Sequence, residues 1–363
     1  MRRREFNKNM LAMPLAAAAA PGMGWGAATD LDTSLLPPGG SMTDVPGIKV
    51  GHYTLKERPT GCTVIMCEEG ATGGVDVRGS APGTRETDLL SPVNQVQKLN
   101  AVMLSGGSAY GLDAASGIMR YLEEKGFGYK VGAGVVPIVP AAILMDLGVG
   151  GFKPRPNAES GYAACQAATT DPVAEGCIGA GAGATIGKMF GGKYSMKSGL
   201  GTSSVKIGDI VVAAIVAVNA VGDVVNPLTG KVVAGARSED GKGYRNAMAQ
   251  MMGGYRVAIQ GAANTTIGCV ATNAKFTKTQ MCKIAQMAHD GYARAINPVH
   301  TMGDGDTIFS MSTGLSNTVA DESAIGAIAA TVMARAIVRA AMMATSIPEL
   351  GLVAYRDYAG RLG

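Results

Sequence analysis

Ala262-Ala263-Asn264-Thr265-Thr266-Ile267-Gly268-Cys269-Val270-Ala271-Thr272 joins an Asn and two adjacent hydroxyls to a run that reads as a buried strand. Ile267, Val270 and Thr272 suit a pleated surface, and the run holds neither charge nor proline. Taken alone, a Thr-Thr pair at a strand entrance is structural. Its neighbours in the sequence decide whether it is more.

After this strand, Thr277–Asn297 reads as a helix, with Met281, Ile284, Ala288, Tyr292 and Ala295 on its apolar side and Pro298 as a stop. Val299–Phe309 then turns into a strand through Asp304-Gly305-Asp306, and a long Ala/Ile/Met helix covers about 321–344. Before the Thr265 strand, Val45–His52 opens the folded body, Gly61–Cys67 is a strand, and Glu68–Pro92 reads as a glycine-rich loop. Ala101–Leu104 is a short strand leading to a helix that ends near Lys125 and Gly126, and Asn157–Thr170 reads as another helix. Ile210–Val218 is an apolar strand closed by Asn219. This order is neither strict βα alternation nor all-β, so a mixed α/β (α+β) class with sheets covered by helices fits best.

Hydrophobic residues make up 47% and charged residues 17% of the 363, enough for a sizeable core. The formal charge is +4, much of it from Arg2, Arg3, Arg4 and Lys8. The body is therefore nearly neutral, which argues against a nucleic-acid partner. Those basic residues precede an uncharged stretch from Asn9 to Ala28. Residues 1–28 thus read as a signal peptide. Its paired arginines, with Phe6 and Lys8 behind them, resemble a twin-arginine signal and imply a periplasmic or secreted protein, with no membrane contact once the signal is removed. Residues 29–45 read as a linker, and 46–363 as one domain. The six cysteines lack metal-site spacing. Cys62 and Cys67 on one strand would stand about 16 Å apart, too far to bridge.

Two nucleotide or metal readings fail on their own chemistry. Glu175–Gly192 holds Gly179, Gly181, Gly183, Gly187 and Lys188, but Ala182 takes the place of the first glycine of a phosphate loop. Met189 stands where a Mg²⁺-binding hydroxyl is required. Asp304-Gly305-Asp306 is not a calcium loop, because Ile308 and Phe309 occupy ligand and glycine positions. No cofactor and no metal are called for. Gly106-Gly107-Ser108-Ala109-Tyr110 lacks the last glycine of a nucleophile elbow. His52, His289 and His300 have no recognisable catalytic context.

Asn264-Thr265-Thr266, together with Asp304-Gly305-Asp306-Thr307 and the glycine-rich run 73–85, resembles the P1-type peptidases of family S58. These are the DmpA-like aminopeptidases, β-peptidyl aminopeptidases and nylon-oligomer hydrolases. The resemblance spans roughly 41–343. It implies a four-layer αββα sandwich of the N-terminal-nucleophile hydrolase type, assembled as a homo-oligomer of processed αβ heterodimers. It also implies self-cleavage between Asn264 and Thr265, giving chains 29–264 and 265–363. Thr265 would then be nucleophile, with its own α-amine (pKa about 7.7–8.0) as the base a hydroxyl needs. By the same resemblance Lys188 orients Thr265 and stabilises developing charge, and Asn219 donates to the oxyanion. Asp304 and Asp306 hold the new ammonium, and Tyr110 lies near the substrate. A spacing of two puts both carboxylates on one face of an extended segment. The activity implied is hydrolysis of short peptides, β-peptides or linear amide oligomers. Two alternatives stand beside it: a Thr-dependent acyltransferase of the ornithine-acetyltransferase type, and a non-catalytic binding protein that stays uncut.

Overall fold

The computed structural model describes residues 39–255 and 264–359. The expected signal, residues 29–38 of the expected linker, and Ala262 and Ala263 lie outside the described residues. Nine strands form the main sheet: β1 (Lys49–Thr54), β2 (Gly61–Val77), β3 (Thr84–Arg85), β4 (Lys98–Ser105), β5 (Ala141–Ile143), β6 (Leu200–Ile207), β7 (Ile210–Asn219), β8 (Thr265–Thr272) and β9 (Thr307–Ser312). Their order is β6-β7-β8-β9-β2-β4-β5-β3, with β1 also paired to β2. β8 and β9 run parallel, as do β4 and β5, and the other pairs are antiparallel.

The long strand β2 belongs to two half-sheets. Its first part pairs with β1, and its last part pairs with β9. Alternation then sorts its side chains. Cys62, Val64 and Met66 pack with Ala114, Ala115, Ile118 and Leu122 of helix α1 (Ala114–Glu124) and with Ala164 and Cys165 of α2 (Ala158–Gln166). Ile65 and Cys67 face the other way. They share a core with Val102 and Leu104 of β4, Ala213, Ile215 and Ala217 of β7, Ile267 and Cys269 of β8, and Phe309 of β9. Two half-sheets thus pack face to face around one apolar layer. The far side is covered by α3 (Lys278–Ala295) and α4 (Glu322–Met342), which pack on each other and on β2, β6 and β7. Layers run helix, sheet, sheet, helix, as the αββα expectation has it.

Helix starts are written in the sequence. Thr277 and Gln280 form a capping box at α3, Asn157 and Ser160 form one at α2, and Asp321 accepts from Ala324 at α4. Helix α4 is long and apolar enough to cross a membrane by composition, but most of it is buried in the packing.

Three expectations are corrected. The strand expected at Gly61–Cys67 continues to Val77, so Gly73 and Gly74 lie in a strand rather than a loop. Glycine is needed there for close approach, because a Cβ on Gly74 would stand 2.5 Å from the backbone of Met281 and Cys282 in α3. The helix expected over 157–170 stops at Gln166, since Thr169 leaves to exchange backbone hydrogen bonds with Val50 of β1. The end of the expected linker is packed rather than loose. Met42 and Val45 are fully buried, and the Met42 N–H donates to Thr202 Oγ1 at 2.9 Å.

Candidate active site

Thr265 opens β8, which lies between β7 and β9. The register sets Thr265 opposite Asn219, the last residue of β7. On the other side Asn264 bridges to Asp304, just before β9. A run of eight buried residues from Thr265 to Thr272 fixes this strand in the middle of the sheet. The Thr265 hydroxyl donates to the carbonyl oxygen of Asn264. The same oxygen accepts the Gly305 N–H at 3.3 Å. Gly305 has no room for a side chain, because a Cβ there would stand 2.6 Å from the Ala81 carbonyl and 2.9 Å from Thr265 Oγ1.

The acidic turn is buried. Asp304 and Asp306 are each 1% exposed. Asp306 Oδ1 accepts the Thr266 N–H at 2.7 Å, while Oδ2 accepts from the backbone and ring of His300 at 3.1 and 2.9 Å. Asp304 Oδ2 accepts the Thr301 N–H at 2.8 Å and its hydroxyl at 2.6 Å. Burial first, and then the Asp306 charge, push the Asp304 carboxyl above its usual range. The run Arg78–Ala81 closes over this turn, with Arg78 and Ala81 N–H groups donating to the carbonyls of Asp306 and Asp304 at 3.0 and 2.8 Å.

Across the strand stands a lysine. Gly187 takes φ 68°, and a Cβ on it would meet Ala236 N at 2.1 Å, so only glycine lets the chain turn there. The next residue, Lys188, is tied through its N–H to Val221 at 3.0 Å. Lys188 is half-buried, and its Nζ donates to Asn219 O and Oδ1, both at 2.9 Å. Burial lowers its pKa to about 7, against the upward pull of Asp304, Asp146 and Asp306. Asn219 Oδ1 also accepts the Thr185 N–H at 3.0 Å, which orients the amide so that Nδ2 donates to Met145 O at 3.0 Å.

The structure therefore gathers Asn264, Thr265, Lys188, Asn219, Asp304 and Asp306 around one strand entrance. Tyr110 is not drawn into this group by any described contact. The residue is 56% exposed and its ring centroid lies 3.7 Å from the Arg155 guanidinium, so it is neither core nor a described partner of Asn219. Met145 is the residue whose carbonyl meets that amide. Sequence reasoning passed over His300, whose one available signal is its place six residues before Asp306. Asn264 Oδ1, Thr266 Oγ1, Asp304 Oδ1 and His300 Nε2 are buried without a hydrogen-bond partner among the described residues. Such groups are costly in a core and collect where chemistry is done.

The chain is similar to known proteins over most of its length. The model of peptidase family S58 matches residues 40–351. An uncharacterized aminopeptidase of Mycobacterium tuberculosis is 41% identical over 344 residues, covering 87% of this chain and 97% of the relative. A 6-aminohexanoate-oligomer endohydrolase of Kocuria sp. is 30% identical over 315 residues, covering 82% and 85%. Among solved structures, a Burkholderia sp. beta-aminopeptidase superposes with TM-score 0.64 at 22% identity, over 90% of this chain and 95% of that one. The L-aminopeptidase D-Ala-esterase/amidase of Ochrobactrum anthropi, described as a variant of the Ntn hydrolase fold, gives TM-score 0.64 at 18% identity over 90% and 96%.

Proposed function

From the premise that this chain belongs to peptidase family S58 and is a hydrolase of peptide or amide bonds, we propose that it cuts itself before Thr265 and uses that residue as its nucleophile. One observation carries the reading. The Asn264 carbonyl is held between the Thr265 hydroxyl and the Gly305 N–H. Attack of Thr265 Oγ1 on the Asn264 carbonyl carbon would move the acyl group from nitrogen to oxygen. The Gly305 N–H would hold the transient oxyanion. Water would then cleave the ester, leaving an Asn264 carboxylate and a free Thr265 amine.

In turnover that amine takes the hydroxyl proton while Oγ1 attacks the substrate carbonyl. The departing amine leaves with a proton, and water clears the acyl-enzyme. Asp304 and Asp306 lie on one side as partners for the ammonium form. Lys188 and Asn219 lie on the other, as the cation and amide that meet developing negative charge. The substrate class includes amino-terminal α- and β-amides, and linear oligomers of the kind named for the Kocuria relative. A panel of aminoacyl anilides and 6-aminohexanoate oligomers would choose among them.

The test is intact mass after folding. Active protein should separate under denaturing conditions into a chain ending at Asn264 and one beginning at Thr265. Thr265→Ala should stay a single inactive chain, and Thr265→Ser should still cut. An active, uncut parent would refute the proposal, as would a fragment beginning at Thr266. Adding an amine acceptor distinguishes hydrolysis from acyl transfer, since a transferase would need it for release.

We further propose that residues 1–28 direct export through a twin-arginine route, on the strength of Arg3-Arg4 and the uncharged stretch behind them. Arg3→Lys with Arg4→Lys should retain the precursor in the cytoplasm. Undiminished periplasmic yield would count against this route.

A further inference from the structure

His300 takes φ 55°, in the left-handed region that non-glycine residues rarely enter. That conformation brings two donors onto one oxygen. The backbone N–H reaches Asp306 Oδ2 at 3.1 Å, and ring Nδ1 lies 2.9 Å from the same atom. The other carboxylate oxygen accepts the Thr266 N–H at 2.7 Å. Asp306 is thus gripped by His300 at one end and by the strand of the nucleophile at the other. The His300 ring is itself held. It meets the buried His289 edge-on at 4.9 Å between centroids, and stacks on Tyr292 at 6.0 Å with an interplanar angle of 23°.

The proton positions are assigned from these partners. A carboxylate only accepts, so His300 Nδ1 carries hydrogen. Its buried Nε2, without a partner among the described residues, then holds a lone pair rather than an orphaned N–H. His289 Nε2 lies 3.0 Å from the Asp76 carbonyl oxygen and donates to it. Burial lowers the His289 pKa to about 3, so it adds no competing positive charge beside His300.

We infer that His300 is a positioning residue for amide hydrolysis: its Nδ1–H fixes Asp306 Oδ2, which keeps Oδ1 on the Thr266 N–H beside the nucleophile. This rests on Thr265 acting as nucleophile. Without the ring, Oδ2 retains only the backbone N–H, and the carboxylate is less firmly directed at the site. The ring touches no reacting atom, so its effect belongs in kcat rather than KM.

The test compares three substitutions in the processed enzyme on an aminoacyl anilide. His300→Leu fills the space but cannot donate. His300→Asn offers an amide N–H near the Nδ1 position and tolerates left-handed backbone. His300→Gly relieves the backbone, keeps its N–H and leaves room for added imidazole. Leu and Gly should lower kcat by about tenfold or more, with KM within about twofold. Asn should recover kcat to within about threefold of the parent, and imidazole should raise the Gly variant severalfold. If Leu fails to accumulate, Gly with and without imidazole decides the matter. Leu and Gly within twofold of the parent would overturn the inference, as would Asn no better than Leu or Gly unresponsive to imidazole. Thr265→Ala runs alongside. Hydrolysis remaining there refutes the nucleophile, whereas an inactive Thr265→Ala beside unaffected His300 variants refutes only the role of His300.

Discussion

Thr265 has an acidic turn on one side and a lysine–amide pair on the other, and the two are built differently. The turn is mostly local: His300 and Thr301 donate to Asp306 Oδ2 and Asp304 Oδ2 within six residues, and only Asp306 Oδ1 reaches out, to the Thr266 N–H of the nucleophile strand. Backbone N–H groups hold both carboxylates before any substrate arrives, helped by the His300 ring at Asp306 and the Thr301 hydroxyl at Asp304. The other flank is assembled from afar. Asn219 meets Lys188 across 31 residues, Thr185 across 34 and Met145 across 74. One flank holds two carboxylates by dense hydrogen bonding, although burial and the Asp306 charge raise the Asp304 pKa. The other encloses a cation brought from a distant segment, and burial lowers its pKa to about 7. The nucleophile is thus placed between a hydrogen-bonded carboxylate pair and an ammonium that gives up its proton easily.

Removing either side by substitution should have the largest effect. Asp306→Asn and Lys188→Met should each reduce turnover of a processed enzyme by about 10²–10³-fold, the scale of losing a preorganised charge partner. Steady-state rates on purified, folded variants would check this. A loss below twofold on either side would show that this flank is scaffolding and not part of the site.

A smaller effect separates the flanks by pH. The Asp304 carboxyl is raised by burial and by Asp306, so an unfolded chain loses that proton first. Stability should therefore fall as pH rises from about 3.9 through the raised folded value. Lys188 behaves oppositely. Between about 7 and about 10.4 the unfolded chain keeps a proton that the folded lysine has released, so stability should rise with pH over that window. Thermal unfolding of an uncut Thr265→Ala background should show both slopes. Adding Asp304→Asn should flatten the first and Lys188→Met the second, each by an order of a few degrees. Curves parallel to the background at all pH values would break the contrast.

The sequence alone determined much of this arrangement. Continuous uncharged, largely apolar runs marked β7 and β8. Helical spacing and the Pro298 stop marked α3, and an Ala/Ile/Met run marked α4, with bounds within a few residues of those seen. Asp304-Gly305-Asp306 could be read as a site because a spacing of two puts both carboxylates on one face of an extended segment, and because the motif resembles that of the family. Periodicity reports which face of a segment is buried, and caps report where a helix begins. Both are short-range facts that a linear sequence carries.

What only the tertiary structure decided lies in strand pairing. Nothing near Lys188 distinguishes it from a solvated lysine until Gly187 turns against Ala236 and Nζ reaches Asn219. Gly74 looks like a loop residue until α3 comes too close for a Cβ. Tyr110 matches a motif but faces outward onto Arg155. His300 matches none, yet its left-handed backbone turns it onto Asp306. In each case the deciding contact is with a distant strand or helix, or depends on a backbone angle. Burial patterns along the chain encode neither, because a residue's polarity states that it is covered but not by what.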